Sequence, residues 1–281
     1  MYFYYLSANG LSISVQARLS GKSRSSFYYK RKQPLKDAEL LAKIEELHRH
    51  QSHYGYKRMA HALHVNHKRT YRIMKQHGIY ARSSRKRRAK NQYSSSKTSL
   101  PNFLKDMTLI EPNQVWAGDF THFTWKRHTY YLATVIDQYT RQVVGWHVAA
   151  NHDVEFVLEA LSMAIGRRSK APKLFHSDHG SEYISKEYVT KLQGHGITPS
   201  NSAKGKPWQN GVQESFYFRF KEEFGDFDRF KSFDSLFEEL GRAFKMYNSE
   251  RIHSALKMSP DAFYEKVMHE KSVENNASKQ A

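Results

Sequence analysis

The chain has 281 residues, enough for two domains or for one domain with an appendage. It contains no cysteine, which excludes disulfides and thiolate metal sites and fits a reducing cytoplasm. Its formal net charge is +18, and the excess is concentrated: from Leu47 to Lys105 there are fifteen Lys/Arg and no Asp or Glu. A polyanion is the natural partner of such a surface, because each neutralised phosphate releases condensed counterions. No apolar run approaches the roughly 20 residues needed to span a bilayer, so no membrane role is expected.

In chain order, Val15–Leu19 and Ser23–Tyr29 read as two short helices around Gly21. Leu40, Leu41, Ile44 and Leu47 then recur at helical spacing behind Asp37, a candidate N-cap. Gly55 opens a second helix carrying Met59, Ala62 and Leu63, and Asn66 caps a third that stops at Gly78. On the third, Lys68, Arg72 and Lys75 share a face with Arg69 beside it, while Ile73 and Met74 point elsewhere. This is the layout of a helix-turn-helix recognition helix, and Lys57 and Arg58 on the preceding helix add to its charge. Seven histidines between His48 and His77, notably His61, His64 and His67, invite a zinc reading. Without cysteine, and with Asn66 ending the helix between them, surface or phosphate-contacting histidines are the default.

The helical region is placed at 1–80, with the helix-turn-helix at about 37–80, and a basic linker at 81–111. Arg85, Lys86, Arg87 and Arg88, followed by Ser94–Ser96, cannot bury themselves and are expected to order on DNA. From 112 the periodicity changes. Gln114–Phe123, Thr129–Ile136 and Gln142–Ala149 are rich in Val, Ile, Thr, Tyr and Trp and read as an antiparallel meander, with Asp137 as a turn-capping acid. Asp153 caps a helix, Lys173–Ser177 is a strand, Ser185–His195 a helix and Ile197–Ser200 a strand, and a last helix follows the loop around Lys204, Lys206 and Trp208. The order β-β-β-α-β-α-β-α is that of a ribonuclease-H-like fold: an α/β mixed sheet with helices on its faces, behind an all-α N-terminal region. The core is placed at 112–268, with 269–281 as a disordered tail.

Three acids fall at distinctive points of this plan: Asp119 mid-strand in Trp116–Thr121, Asp178 at the end of the fourth strand in His176–Gly180, and Glu214 on the helix after it in Asn210–Phe216. Three converging carboxylates can hold two divalent metals, the minimal apparatus for breaking and joining DNA without a covalent enzyme intermediate. At an effective dielectric of about 20, two carboxylates 4 Å apart repel by roughly 4 kcal/mol, so such a cluster implies cations. Oxygen-only ligands suit Mg²⁺, two ions of it, with Mn²⁺ able to substitute. Lys204, Lys206, Lys221 and Arg251 are candidate phosphate contacts around the acids.

These segments, together with Tyr54–Met59, Val65–Met74, Val135–Asp137, Val144–Trp146, His176–Tyr183, Gly211–Lys221 and Tyr247–Leu256, resemble the integrase-like OrfB subunit of bacterial transposases of insertion-sequence family three, related in fold to retroviral integrases. The resemblance implies that Asp119, Asp178 and Glu214 are a DDE triad acting on an element's terminal inverted repeats and on target DNA. It also implies a multimer on DNA and a separate upstream-frame protein, OrfA, as partner or fusion, since this chain has no heptad zipper. Departures are small: Gly118 stands where members often carry Thr, and Gln209 where an Asp commonly precedes Asn210. Two rivals stand beside this reading. One is a DNA-binding regulator or assembly subunit with an inactive core; the other is a tyrosine recombinase, for which 18 Tyr are raw material but no Arg-His-x-x-Arg arrangement is present.

Overall fold

The computed structural model describes residues 12–28, 33–82, 100–168, 170–202 and 210–280. Helices α1 (Ile13–Ser20) and α2 (Arg24–Tyr28) are the two short N-terminal helices. They lead to α3 (Gln33–His50), α4 (Tyr56–Ala62) and α5 (His67–Gln76). Leu40, Ile44, Tyr54, Met59, Ile73 and Met74 make a small separate core between the last three. The Asn66 side chain accepts hydrogen bonds from the backbone N–H groups of Lys68 and Arg69, at 2.9 and 3.4 Å, and so caps α5 as its sequence requires. Asp37 does not cap α3. The helix starts at Gln33, with Pro34 in its first turn where a missing N–H costs nothing, which leaves Asp37 inside the helix.

The second unit is a five-stranded sheet in the order β3-β2-β1-β4-β5. Strands β1 (Val115–Trp125), β2 (His128–Asp137) and β3 (Val143–Ala149) form the antiparallel meander. The short strands β4 (Leu174–Ser177) and β5 (Thr198–Asn201) add in parallel to the other edge of β1. Asp137 is the turn-capping acid: its carboxylate accepts from the backbone N–H of Tyr139, Thr140 and Asn113 at 2.9, 3.0 and 2.8 Å.

Alternation along the strands sorts the core into two layers. Trp116, Ala133, Val135 and Phe175 face helices α6 (Val154–Arg167) and α7 (Lys186–Gly194). Phe123, Leu132, Ile136 and Trp146 face α8 (Gly211–Phe224) and α9 (Phe233–Ser249). Gly145 allows α6 to lie close on β3, since an added Cβ would come 2.2 Å from the Ala160 carbonyl oxygen and 2.8 Å from the Ala164 Cβ. The final helix, α10, runs from Pro260 to Gln280, which corrects the expectation of a disordered tail from 269. Residues 269–280 contain no Gly or Pro to stop a helix, and Lys271 pairs with Glu111 at the entry to the core. Among the described residues no helix is long and apolar enough to cross a membrane.

Candidate active site

Strands β1 and β4 pair only at their starts, with Ala117 opposite His176. Two residues beyond this pair come Asp119, within β1, and Asp178, just past the end of β4, so both acids lie on the same side of the sheet where the paired strands run out. Period 2 puts Asp119 on the face shared with Ala117 and Phe123, the face that α8 covers. Glu214 is in the first turn of α8.

The electrostatics follow from this crowding. Asp119 is held well above the usual carboxylate range, first by burial, then by the Asp178 and Glu214 charges, against one opposing hydrogen bond from the Phe120 N–H. Asp178 is raised too, first by burial, with the Gly180 N–H at 2.9 Å opposing and Glu182 adding repulsion. Neither carboxylate has an ion-pair partner among the described residues. As they stand, no three acidic or histidine side chains among those residues are arranged to hold a metal ion. The carboxylates therefore meet electrostatically without forming a closed cage.

Side chains absent from the sequence reading hold this geometry. Gln213 donates through Nε2 to the Ala117 and Thr134 carbonyls at 2.6 and 3.2 Å, and its Oε1 accepts from the Thr134 hydroxyl at 3.0 Å. The Tyr217 hydroxyl lies 2.7 Å from the Asp119 carbonyl oxygen and 3.2 Å from that of Leu132, with the Thr134 hydroxyl at 2.8 Å. One turn apart on α8, these two residues clamp the helix to the β1 and β2 backbones at the level of Asp119, and Glu214 immediately follows the first of them. Their signal in the sequence was a polar pair at i, i+4 on the stripe that buries Phe220 and Phe224. Gly118 has its own reason: an added Cβ would come 2.5 Å from the Phe175 ring, which fills that space.

The predicted cationic contacts divide into several groups. Lys221 donates to the His122 carbonyl on β1 at 2.6 Å, on the same flank of α8 as Glu214. Lys57, Lys68 and Lys75 are exposed on α4 and α5. Arg69 and Arg72 pair with Asp37 at 2.8 and 2.6 Å. Arg58 donates to the Ser254 hydroxyl at 3.1 Å. Arg251 is not available to phosphate as predicted: it is buried, and its guanidinium forms a two-pronged pair with Glu223 at 2.7 and 2.6 Å. Lys204 and Lys206, with Trp208, and Arg85, Lys86, Arg87 and Arg88 lie outside the described residues.

Comparison with known proteins bears on the family and the fold. Two models of the integrase core domain match residues 110–207 and 195–260, and a model of an HTH-like domain matches residues 34–88. The transposase for insertion sequence element IS904 of Lactococcus lactis is 32% identical over 244 residues, covering 84% of this chain and 96% of that protein. The transposase InsF for insertion sequence IS3A of Escherichia coli K12 is 35% identical over 153 residues, 53% of each. Among solved structures, the HTLV-2 integrase catalytic core domain in complex with magnesium aligns with 55% of this chain and 98% of its own at a TM-score of 0.46 and 18% identity, too loosely to carry residue assignments.

Proposed function

The chain belongs to the DDE-type transposases of insertion-sequence family three, and from that premise we propose that Asp119, Asp178 and Glu214 are the carboxylates around which it cuts DNA strands and transfers them. The observation that carries this reading is a pair of like-charged, desolvated aspartates with no ion-pair partner among the described residues, beside a third acid on a helix clamped to the same strand. Such a pair costs folding energy unless a cation relieves it.

Divalent ions fit the donor set, which is oxygen only and therefore hard. Asp119 and Asp178 would hold an ion between β1 and β4, with Glu214 supplying the remaining carboxylate from α8. Bound there, Mg²⁺ or Mn²⁺ supplies Lewis-acid polarisation of a phosphodiester and a more acidic attacking hydroxyl. The chain's own residues do the positioning. Gln213 and Tyr217 fix the height of Glu214 over Asp119, and Lys221 is anchored on that flank within reach of a phosphate. A protein nucleophile is not needed, because water or a DNA 3′-hydroxyl can attack. Lys57, Lys68 and Lys75 contact duplex phosphates as α5 enters the groove, and Lys204, Lys206 and Arg85–Arg88 extend that path. The protein works on two DNA ends as a multimer in the cytoplasm, with the upstream-frame product as partner.

A strand-transfer assay on the element's own terminal repeats in Mg²⁺ tests this. Wild type joins the ends, with the upstream product where required, and Asp178→Asn falls at least about 10²-fold while still binding DNA. Silence of both proteins under every condition while binding persists would leave only the regulator, and a covalent protein–DNA adduct formed in EDTA would point to the recombinase. Millimolar Mg²⁺ should also raise the melting temperature of wild type but not of Glu214→Gln, because a ligand stabilises only the state that binds it.

A further inference from the structure

A cavity of about 560 Å³ opens where the helical region meets the core, on the flank of α8 away from the acids. Arg219, which lines it, is five residues from Glu214, so the two side chains leave the helix roughly 140° apart. Arg58 comes from α4, Arg141 from the β2–β3 turn, Arg229 from just beyond α8 and Arg251 from the segment after α9. Five guanidiniums thus share the lining with two carboxylates, Glu223 on α8, both of whose oxygens Arg251 engages, and Glu239 on α9, which pairs with Arg242 at 2.8 Å.

The other four have no carboxylate within ion-pair distance among the described residues. Neutral groups hold three of them instead. Arg58 donates to Ser254 at 3.1 Å, Arg141 to Gln138 at 3.3 Å, and Arg229 stacks over the Phe224 and Phe230 rings at 5.0 and 4.7 Å. These contacts fix the guanidiniums without cancelling their charge. His253, also in the lining, has a buried Nδ1 with no hydrogen-bond partner. Burial and the Arg251, Arg141, Arg58 and Arg219 charges depress that imidazole to about 4, so it stays neutral in a strongly positive field. The same crowding, burial first and then Arg251 and Arg219, lowers Arg58.

We propose that this cleft binds backbone phosphates of duplex DNA, holding the stretch that runs between the recognition helix and the acids. The inference rests on the transposase reading and adds a second DNA contact surface to it. Guanidiniums spread over four separate segments exceed what one small anion can engage, whereas successive phosphates along a strand match that spread. His53 hydrogen-bonds to the Arg82 carbonyl at 2.9 Å, and the Arg85–Arg88 run begins three residues later in the sequence. Because one wall is helical region and the other is core, DNA seated there would also set the angle between the two. The strand held here is not the reacting one, since α8 stands between the cleft and Asp119.

The test uses the full chain, a duplex carrying the terminal repeat and a scrambled duplex, with affinity followed by fluorescence anisotropy across a salt series. Arg58→Gln with Arg219→Gln should weaken both duplexes about tenfold or more at physiological salt. It should also make the slope of log K against log salt shallower by about 2, at about 0.9 for each phosphate that is no longer neutralised. If the double variant loses thermal stability, the exposed Arg219→Gln alone should still make the slope shallower by about 0.9. Unchanged affinity and slope would overturn the proposal. So would millimolar inorganic phosphate raising the melting temperature of wild type but not of the variant while DNA binding stays intact, which would make the cleft a small-anion site. Failure of wild type to bind either duplex would sink the transposase reading itself. Equal binding by wild type, Asp178→Asn and the double variant would sink only the cleft.

Discussion

Helices α8 and α5 are each seated by a cluster of polar side chains, but one cluster is buried and neutral and the other is charged and partly open. On α8, Gln213 and Tyr217 meet Thr134 and four backbone carbonyls inside the core. On α5, Arg69 and Arg72 meet Asp37, with the Arg72 side chain 51% exposed. A buried hydrogen-bond network is satisfied in one register only, because any slip strands groups that water cannot reach. An exposed ion pair exchanges with solvent at little cost. Rigid seating thus falls on the helix that carries Glu214, and the exchangeable seat on the helix that carries Lys68 and Lys75. Helix α6 supplies a third reference, since its contact with β3 depends on a missing side chain.

The largest expected effect is at that third seat. In Gly145→Val the first added carbon already overlaps the Ala160 carbonyl oxygen, a backbone atom that cannot turn away, so the loss should exceed the usual overpacking penalty of about 1–3 kcal/mol. Denaturant unfolding or the soluble yield would register it. Next comes Gln213→Leu, which removes the side-chain donor to the buried Ala117 and Thr134 carbonyls and one acceptor of the Thr134 hydroxyl, at a cost of about 1–3 kcal/mol. Strand transfer should fall further than this loss of folded protein explains, because the adjacent Glu214 loses its height over Asp119. Full activity in a destabilised Gln213→Leu would show that the clamp serves stability alone.

What the sequence revealed, and what it hid, follows the same division. The meander, the Asn66 cap and the strand and helix positions of the three acids were legible, because alternation, caps and turn residues are local signals. Arg251 was read as a phosphate contact because its partner Glu223 lies 28 residues away on another helix, and nothing local announces the pair. Asp37 looks like a cap since it precedes a clean apolar stripe, yet its carboxylate is taken by arginines 32 and 35 residues later. The stretch from 269 was placed as a disordered tail, although Glu, Lys, Ala and Gln sustain a helix when nothing breaks it.

A smaller effect is expected in acid, where the β4–β5 joint rather than either helix seat responds. His176 is fully buried, its two ring nitrogens 3.1 and 3.2 Å from the Ser200 and Ser202 hydroxyls, and burial pulls it down to about 4 from an ordinary 6.5. A base with a lowered folded pKa contributes stability that is complete above its unfolded value and is lost as pH falls through the folded one. Wild type should therefore lose stability between about pH 6.5 and 4 faster than His176→Gln, whose side chain cannot titrate. Parallel melting curves for the two proteins across that window would rule this out.

The smallest change in stability, and the sharpest test of the contrast, belongs to Asp37→Asn. The substitution keeps the shape of the side chain and removes its charge, so the paired arginines lose attraction but still have an amide to meet. Stability should drop by about 1 kcal/mol or less, as for other partly exposed pairs. DNA binding should move the other way. With the carboxylate gone, Arg69 and Arg72 can turn to phosphates alongside Lys68 and Lys75, and the salt slope should steepen by up to about 0.9 for each arginine recruited. Tighter, more salt-sensitive binding would mean that Asp37 restrains the recognition helix until DNA competes for its arginines. Weaker binding would mean that the carboxylate holds them in the pose DNA requires, making the α5 seat as position-specific as that of α8.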